Sequence, residues 1–174
     1  MRLTRLLAVA AAGAAAAAMV VASPANASDS TATFAVSAGA LTVAVPATAD
    51  LGTGAPGTTI TGSLGAVTVT DLRGANPSAW TATVSSTAFT GTGVTTTIPA
   101  SDVTYTPGAT TATTGDGSFT AGTAGTLSGT AITAYTHATG TGSNSATWNP
   151  SLAIAVPATA TAVTYTGTVT HLVA

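Results

Sequence analysis

The residues of this chain that could do chemistry are few. It contains five acidic residues, all of them aspartate, two histidines and no cysteine. A glycosidase needs a carboxylate pair, and a serine hydrolase needs a serine, a histidine and an acid in one site. The aspartates are scattered, and no Gly-x-Ser-x-Gly nucleophile turn occurs. His137 and His171 lack a His-Glu-x-x-His pattern or cysteine partners. We therefore expect a protein that is not an enzyme and that uses no metal or cofactor.

Five residues remain as candidates for contact with a ligand, namely Asp71, Arg73, Trp80, Trp148 and His171. Asp71 and Arg73 are close in sequence and opposite in charge, so they could meet a ligand. An ion pair or an Asx turn that fixes their loop is the favoured interpretation. Either tryptophan could stack on a sugar ring, but Trp80 occupies an alternating position that is typical of a core. Trp148 lies beside a Pro-containing loop, and both interpretations stay open for it.

The elements that must position these residues are β-strands. The chain is rich in threonine, a β-branched residue that favours strands, and Gly and Pro recur at short intervals. Short alternating segments between turn residues are typical of a sandwich or barrel. Net charge is low and the apolar residues are periodic, which favours folding over disorder. We predict an all-β fold, with one antiparallel β-sandwich-like domain over residues 28–174.

The pattern also predicts individual strands and loops. The expected strands cover residues 33–45, 66–70, 80–86, 103–105, 131–135, 152–156 and 163–173. Residues 71–78, rich in Gly, Asn and Pro, are expected to connect the second and third of these strands as a hairpin. Residues 108–125 are expected to form a long loop or a poorly ordered region. Asp116, between two glycines in that region, is interpreted as a turn residue rather than part of a calcium loop.

The first 27 residues have the features of a cleavable signal peptide. Arg2 and Arg5 precede an uncharged stretch of Leu, Ala, Val, Met and Gly, which is followed by Ala25-Asn26-Ala27. A basic start, an apolar stretch and a small-x-small site define a secretory signal. The apolar stretch falls short of the roughly 20 residues that span a bilayer. We expect cleavage after Ala27 and a secreted protein that starts at Ser28, either extracellular or associated with the cell wall.

The charge of the remaining chain limits its partners. Residues 28–174 contain five aspartates and one arginine, a net charge of about −4. Such a surface has no electrostatic attraction for phosphates or anionic lipids. We therefore expect no nucleic-acid partner and no membrane partner once the signal is removed.

Residues 67–84 carry a resemblance to a known family. They run Val-Thr-Val-Thr-Asp71-Leu-Arg73-Gly, and after a short turn Trp80 opens a second strand. This segment resembles the first half of the WxL domain of Gram-positive cell surfaces. Residues 163–173 resemble the family's final strand, with His171-Leu-Val where a second Trp-x-Leu would stand. Trp80 is followed by Thr-Ala, not by x-Leu. The resemblance implies a β-rich domain that attaches non-covalently to peptidoglycan.

Two functional hypotheses follow from these observations. The first is a secreted, non-catalytic cell-surface domain that associates with peptidoglycan or another cell-wall polymer. The second is a structural or self-assembling surface subunit that pairs with other surface chains through its strand edges.

Overall fold

The structure, a computed structural model, describes residues 28–174. The expected signal peptide, residues 1–27, lies outside the described residues. Residues 28–35 belong to a unit that ends at Ala35, and they are exposed and form no helix or strand. The second unit, Val36–Ala174, is built from antiparallel strands, which confirms the prediction of an all-β, sandwich-like fold. Within the described residues, no helix is long and apolar enough to cross a membrane.

The described part of the chain contains fifteen strands and one short 3₁₀ helix. The strands are β1 Leu41–Ala44, β2 Thr59–Ser63, β3 Val67–Asp71, β4 Ser78–Ser86, β5 Phe89–Gly91, β6 Thr97–Ile98, β7 Val103–Thr106, β8 Thr110–Thr114, β9 Ser118–Ala121, β10 Gly125–Thr126, β11 Ile132–Gly140, β12 Asn144–Trp148, β13 Ser151–Ala155, β14 Tyr165–Thr166 and β15 Val169–Val173. The 3₁₀ helix, Ala100–Asp102, lies between β6 and β7.

Two four-stranded sheets form the two layers of the sandwich. One has the order β1-β3-β12-β8, and the other has the order β15-β4-β11-β9. The edge strands β1 and β15 contact each other, and so do β8 and β9 at the opposite edge. The two layers therefore lie face to face with corresponding strands opposed, and the core fills the space between them.

Each layer continues past a bend into a further sheet. In the sheet β10-β7-β13-β2, strands β7, β13 and β2 precede or follow β8, β12 and β3 directly in sequence, in the same lateral order. Buried Pro107 separates β7 from β8, and buried Pro150 separates β12 from β13. Because proline has no N–H to donate, it interrupts the ladder at both connections. The small sheet β14-β5-β6 extends the other layer in the same way, through β4–β5 and β14–β15.

The bend in the second layer depends on a glycine. Gly167 separates β14 from β15, and a Cβ atom there would lie 2.8 Å from Cγ of Phe89. Real Cβ atoms do not approach a ring carbon so closely, so only glycine allows the Phe89 ring to pack under this connection. The predicted continuous strand over residues 163–173 is therefore two strands.

Three other predictions about local structure are corrected. The strand expected over residues 33–45 is limited to β1. Residues 71–78 do not connect a hairpin, because β3 pairs with β1 and β12 whereas β4 pairs with β11 and β15 in the opposite layer. Residues 108–125 are not a long loop, since β8, β9 and the start of β10 lie there. These strands are rich in Thr, Ala and Gly, so they show little alternation of large apolar with polar residues from which a strand could be predicted.

Candidate functional site

Trp80 lies in the core, as its alternating position predicted. It is 3% exposed, and its ring stacks on His137 and Tyr135 of β11 at centroid distances of 5.7 and 6.2 Å. His137 in turn packs against Phe119 at 4.4 Å. Indole Nε1 donates a 2.8 Å hydrogen bond to Oδ1 of Asn144. Neighbouring side chains thus cover the Trp80 ring, and its Nε1 has a hydrogen-bond partner inside the protein. The ring is therefore not accessible for stacking on a sugar.

Trp148 is also fully buried, which answers the question that the sequence left open. Its ring stacks on Tyr135 at a centroid distance of 4.7 Å, and its Nε1 donates to the Tyr105 hydroxyl at 3.1 Å. Of the two interpretations of Trp148, the structure supports the core position. Pro150, two residues further on, is also fully buried, at the connection between β12 and β13.

His171 is half-buried and contacts the same group of buried aromatic residues. The Tyr105 hydroxyl lies 3.1 Å from Nε2 of His171, and the two rings are 5.6 Å apart. Because the Tyr105 oxygen already accepts from Trp148, its own proton is free to be donated to His171. Burial raises the pKa of Tyr105 to about 12 and lowers the pKa of His171 to about 4. His171 is therefore neutral at pH 7, which suits it to accept this hydrogen bond.

Asp71 and Arg73 form the loop-fixing ion pair that the sequence favoured. Asp71 is fully buried, and its carboxylate accepts from Arg73 Nε at 2.9 Å and from Arg73 Nη2 at 2.8 Å. The backbone N–H of Arg73 also donates to Oδ1, which closes an Asx turn. The Arg73 hydrogen bond holds the pKa of Asp71 below its usual value, and the Asp71 carboxylate raises the pKa of Arg73. With its carboxylate enclosed, Asp71 cannot reach a ligand in solution.

Asp116 serves a turn, as predicted. Its carboxylate accepts from the backbone N–H and the hydroxyl of Thr141, at 2.8 and 3.0 Å, and these bonds hold its pKa below the usual value. Its backbone carbonyl lies 3.0 Å from His137 Nε2. Because the histidine meets the carbonyl and not the carboxylate, the two do not form an acid–base pair. In residues 28–174 no group of three His, Cys, Asp or Glu residues could hold a metal ion.

Asp71, Trp80 and Trp148 therefore lie in the interior, whereas Arg73 and His171 are half-buried. The described surface also carries a regular set of uncharged side chains. On the outer face of the first layer, two rows of side chains cross the four strands β1, β3, β12 and β8 in register. The rows are Thr42–Thr70–Ser145–Thr114 and Ala44–Thr68–Thr147–Ala112. These positions are exposed or half-buried, and none carries a charge. We call them the hydroxyl face.

Contacts across the strands order this face. The hydroxyls of Thr68 and Thr147 lie 2.9 Å apart, and those of Thr114 and Ser145 lie 2.7 Å apart. Neighbouring strands are spaced by about 4.8 Å and alternate residues by about 6.8 Å, so the side chains form a regular grid. Sequence reasoning missed this face, although the alternating threonines of residues 67–71 were a signal for it.

A second surface feature is a groove between the two bent ends of the layers. Its volume is about 790 Å³, and an adjoining cavity of about 350 Å³ shares several of its lining residues. Apolar side chains from both layers line the groove, including Ile60, Phe89, Ile98, Ile154 and Val156. The segment between β1 and β2 and the segment before β14 form its rim. The groove carries no histidine and a single carboxylate, Asp50, so its character is apolar.

Comparison of the chain with protein-family models, with curated proteins and with solved structures found no match. The WxL resemblance therefore stays a prediction.

Proposed function

We propose that this chain is a secreted, non-catalytic surface domain that associates non-covalently with a cell-wall polymer, peptidoglycan, through its hydroxyl face. One observation carries the proposal: six threonine and serine hydroxyls, together with two alanines, form an ordered, uncharged grid on the outer side of one layer. The sequence resemblance to WxL domains and the expected signal peptide point to the same cellular setting.

The chemistry of the hydroxyl face suits the glycan strands of such a polymer. A threonine hydroxyl both donates and accepts a hydrogen bond, and its methyl group offers a small apolar contact. Sugar rings present hydroxyls at their edges and C–H groups on their faces, so the two surfaces are complementary without any charge. Each such hydrogen bond adds only about 0.5–1.5 kcal/mol. Binding is therefore modest at one site and depends on many contacts along a polymer.

Co-sedimentation with insoluble peptidoglycan tests the proposal. The purified chain should pellet in proportion to the amount of peptidoglycan and should do so equally at low and high salt, because uncharged contacts are not screened. Replacing Thr70 and Thr114 by valine removes two hydroxyls and keeps the β-branched shape. The double variant should bind roughly 5- to 100-fold more weakly, the equivalent of two lost hydrogen bonds.

A matched control lies on the opposite layer. Thr81 and Thr83 of β4 also point outward, and the double change Thr81→Val and Thr83→Val should leave binding unchanged. If the unmodified chain stays in the supernatant at every salt concentration and pH, wall binding is refuted. If both double variants bind like the unmodified chain, the hydroxyl face is not the site. Binding that disappears at high salt would contradict the uncharged basis of the contact.

A further inference from the structure

Within residues 28–174, no strand lies beside the outer edge of β2. Among the described strands, β2 pairs only with β13. Just after β2, the Leu64 N–H donates to the Pro150 carbonyl oxygen at 2.9 Å. Backbone groups of successive residues point to opposite edges of a strand, so the even-numbered residues of β2 face β13. The N–H and C=O groups of Thr59, Thr61 and Ser63 therefore point away from the sheet. All three residues are exposed, and no backbone partner is found for them within residues 28–174.

The position beside β2 is vacant because the preceding segment leaves the sheet. β1 pairs with β3, which directly follows β2, so the continuation of β1 would run along the outer edge of β2. Instead this continuation lies on the inner face of β2, where a Cβ atom on Gly62 would be 2.7 Å from Leu51 Cα. The apolar groove opens beside this edge, and Ile60 of β2 is part of its lining.

The chain also contains an alternating segment that pairs with nothing in the described residues. In residues 32–38, Ala32, Phe34, Val36 and Ala38 alternate with Thr33, Ala35 and Ser37. The segment lies outside every strand, and Phe34 and Val36 are 91% and 86% exposed. Exposed large apolar side chains at alternate positions are the pattern of a strand whose sheet is missing.

We propose that residues 32–38 of one copy of this chain add as an antiparallel or parallel strand to the free edge of β2 in a second copy. Backbone hydrogen bonds to Thr59, Thr61 and Ser63 supply the affinity, and Phe34 and Val36 turn toward the apolar groove. The segment is long enough to lie along the whole of β2, and it contains no charge to bury. Each copy offers one donor segment and one acceptor edge, so the contact is head-to-tail and builds rings or open chains.

Sedimentation velocity over a range of protein concentrations tests this self-assembly, which does not depend on wall binding. The unmodified chain should form species that grow with concentration. Phe34→Ser with Val36→Ser, in a segment outside every strand, should leave only monomer with an unchanged melting temperature. Leu172→Ser is the matched control, because Leu172 is 63% exposed but belongs to neither the donor nor the acceptor. This control should assemble like the unmodified chain.

A variant of the acceptor edge, β2, tests whether assembly uses this edge. Thr61→Pro removes an N–H from the free edge without removing a bond to β13, and proline is tolerated at such edge positions. This variant and the Phe34→Ser, Val36→Ser variant should each be monomeric. Mixed in equal amounts they should form a one-to-one heterodimer, because one retains the donor and the other retains the acceptor. A monomeric unmodified chain, a monomeric mixture, or loss of assembly in the Leu172→Ser control would overturn the proposal.

Discussion

The indole Nε1 of Trp80 donates a 2.8 Å hydrogen bond to Oδ1 of Asn144, and this bond joins the two layers of the sandwich. Trp80 belongs to β4 in one layer, and Asn144 begins β12 in the other. The Asn144 amide then donates to the hydroxyl of Ser78 at 3.2 Å, and all three residues are buried. A shift of either strand by one residue would leave these polar atoms buried without partners, so the network fixes the relative position of the layers.

Truncation of Trp80 should be among the most damaging changes in the core. Trp80→Ala removes a buried ring that contacts both His137 and Tyr135, and it should lower the free energy of unfolding by roughly 3–5 kcal/mol. Trp80→Phe keeps most of the ring and mainly deprives Asn144 of its donor, so it should cost about 1–3 kcal/mol. Urea denaturation measures both. Equal midpoints for Trp80→Ala and the unmodified chain would show that the ring is not part of the core.

The ion pair of Asp71 and Arg73 should contribute to the stability of the fold, because it compensates the charge of a buried carboxylate. Arg73→Met leaves that carboxylate without its charged partner and should cost about 1–3 kcal/mol at neutral pH. Arg73 lowers the pKa of Asp71 in the folded protein. The contribution of the ion pair to the free energy of unfolding is therefore present above the unfolded pKa of 3.8, and it is lost as the pH falls through the lower folded value. The difference in the free energy of unfolding between the unmodified chain and Arg73→Met, measured by urea denaturation, should therefore become smaller in acid.

Asp71→Asn with Arg73→Met completes a double-mutant cycle for this pair. The neutral pair leaves no buried charge uncompensated, so the double variant should be more stable than Arg73→Met alone. Additive losses across the cycle would show that the two side chains do not interact.

His171 should make the fold sensitive to mild acid. Its pKa is about 4 in the folded protein and about 6.5 when unfolded, so the unfolded chain binds the proton more tightly. The contribution of neutral His171 to the free energy of unfolding is therefore complete above pH 6.5. It declines as the pH falls from 6.5 to 4 and is absent below that range. His171→Gln removes the titration. The stability of the unmodified chain relative to His171→Gln should fall across this window, as measured by urea denaturation at several pH values. A constant difference would contradict a half-buried histidine that is neutral in the folded protein at pH 7.

The sequence alone was sufficient to predict the fold class and several strands. Val67 and Val69, and likewise Trp80, Ala82 and Val84, alternate with polar residues, and all of them are buried. Local periodicity predicts this because the side chains of a strand point to opposite faces in turn. The prediction failed for residues 110–114, where every position is exposed and Thr and Ala give no apolar contrast. The interpretation of Asp71 and Arg73 as an ion pair succeeded for the same local reason, since the two lie in one turn.

Only the tertiary structure decided which strands pair and which faces are covered. The sequence suggested that β3 and β4 form a hairpin, but their partners are β1, β12, β11 and β15, brought together from distant parts of the chain. Trp148 is buried because Tyr135 and Tyr105 reach it from two other strands, and nothing in its own neighbourhood specifies them. The free edge of β2 and the hydroxyl face likewise depend on lateral strand order. Alternation determines what each strand can bury, whereas long-range pairing and packing determine against what it is buried.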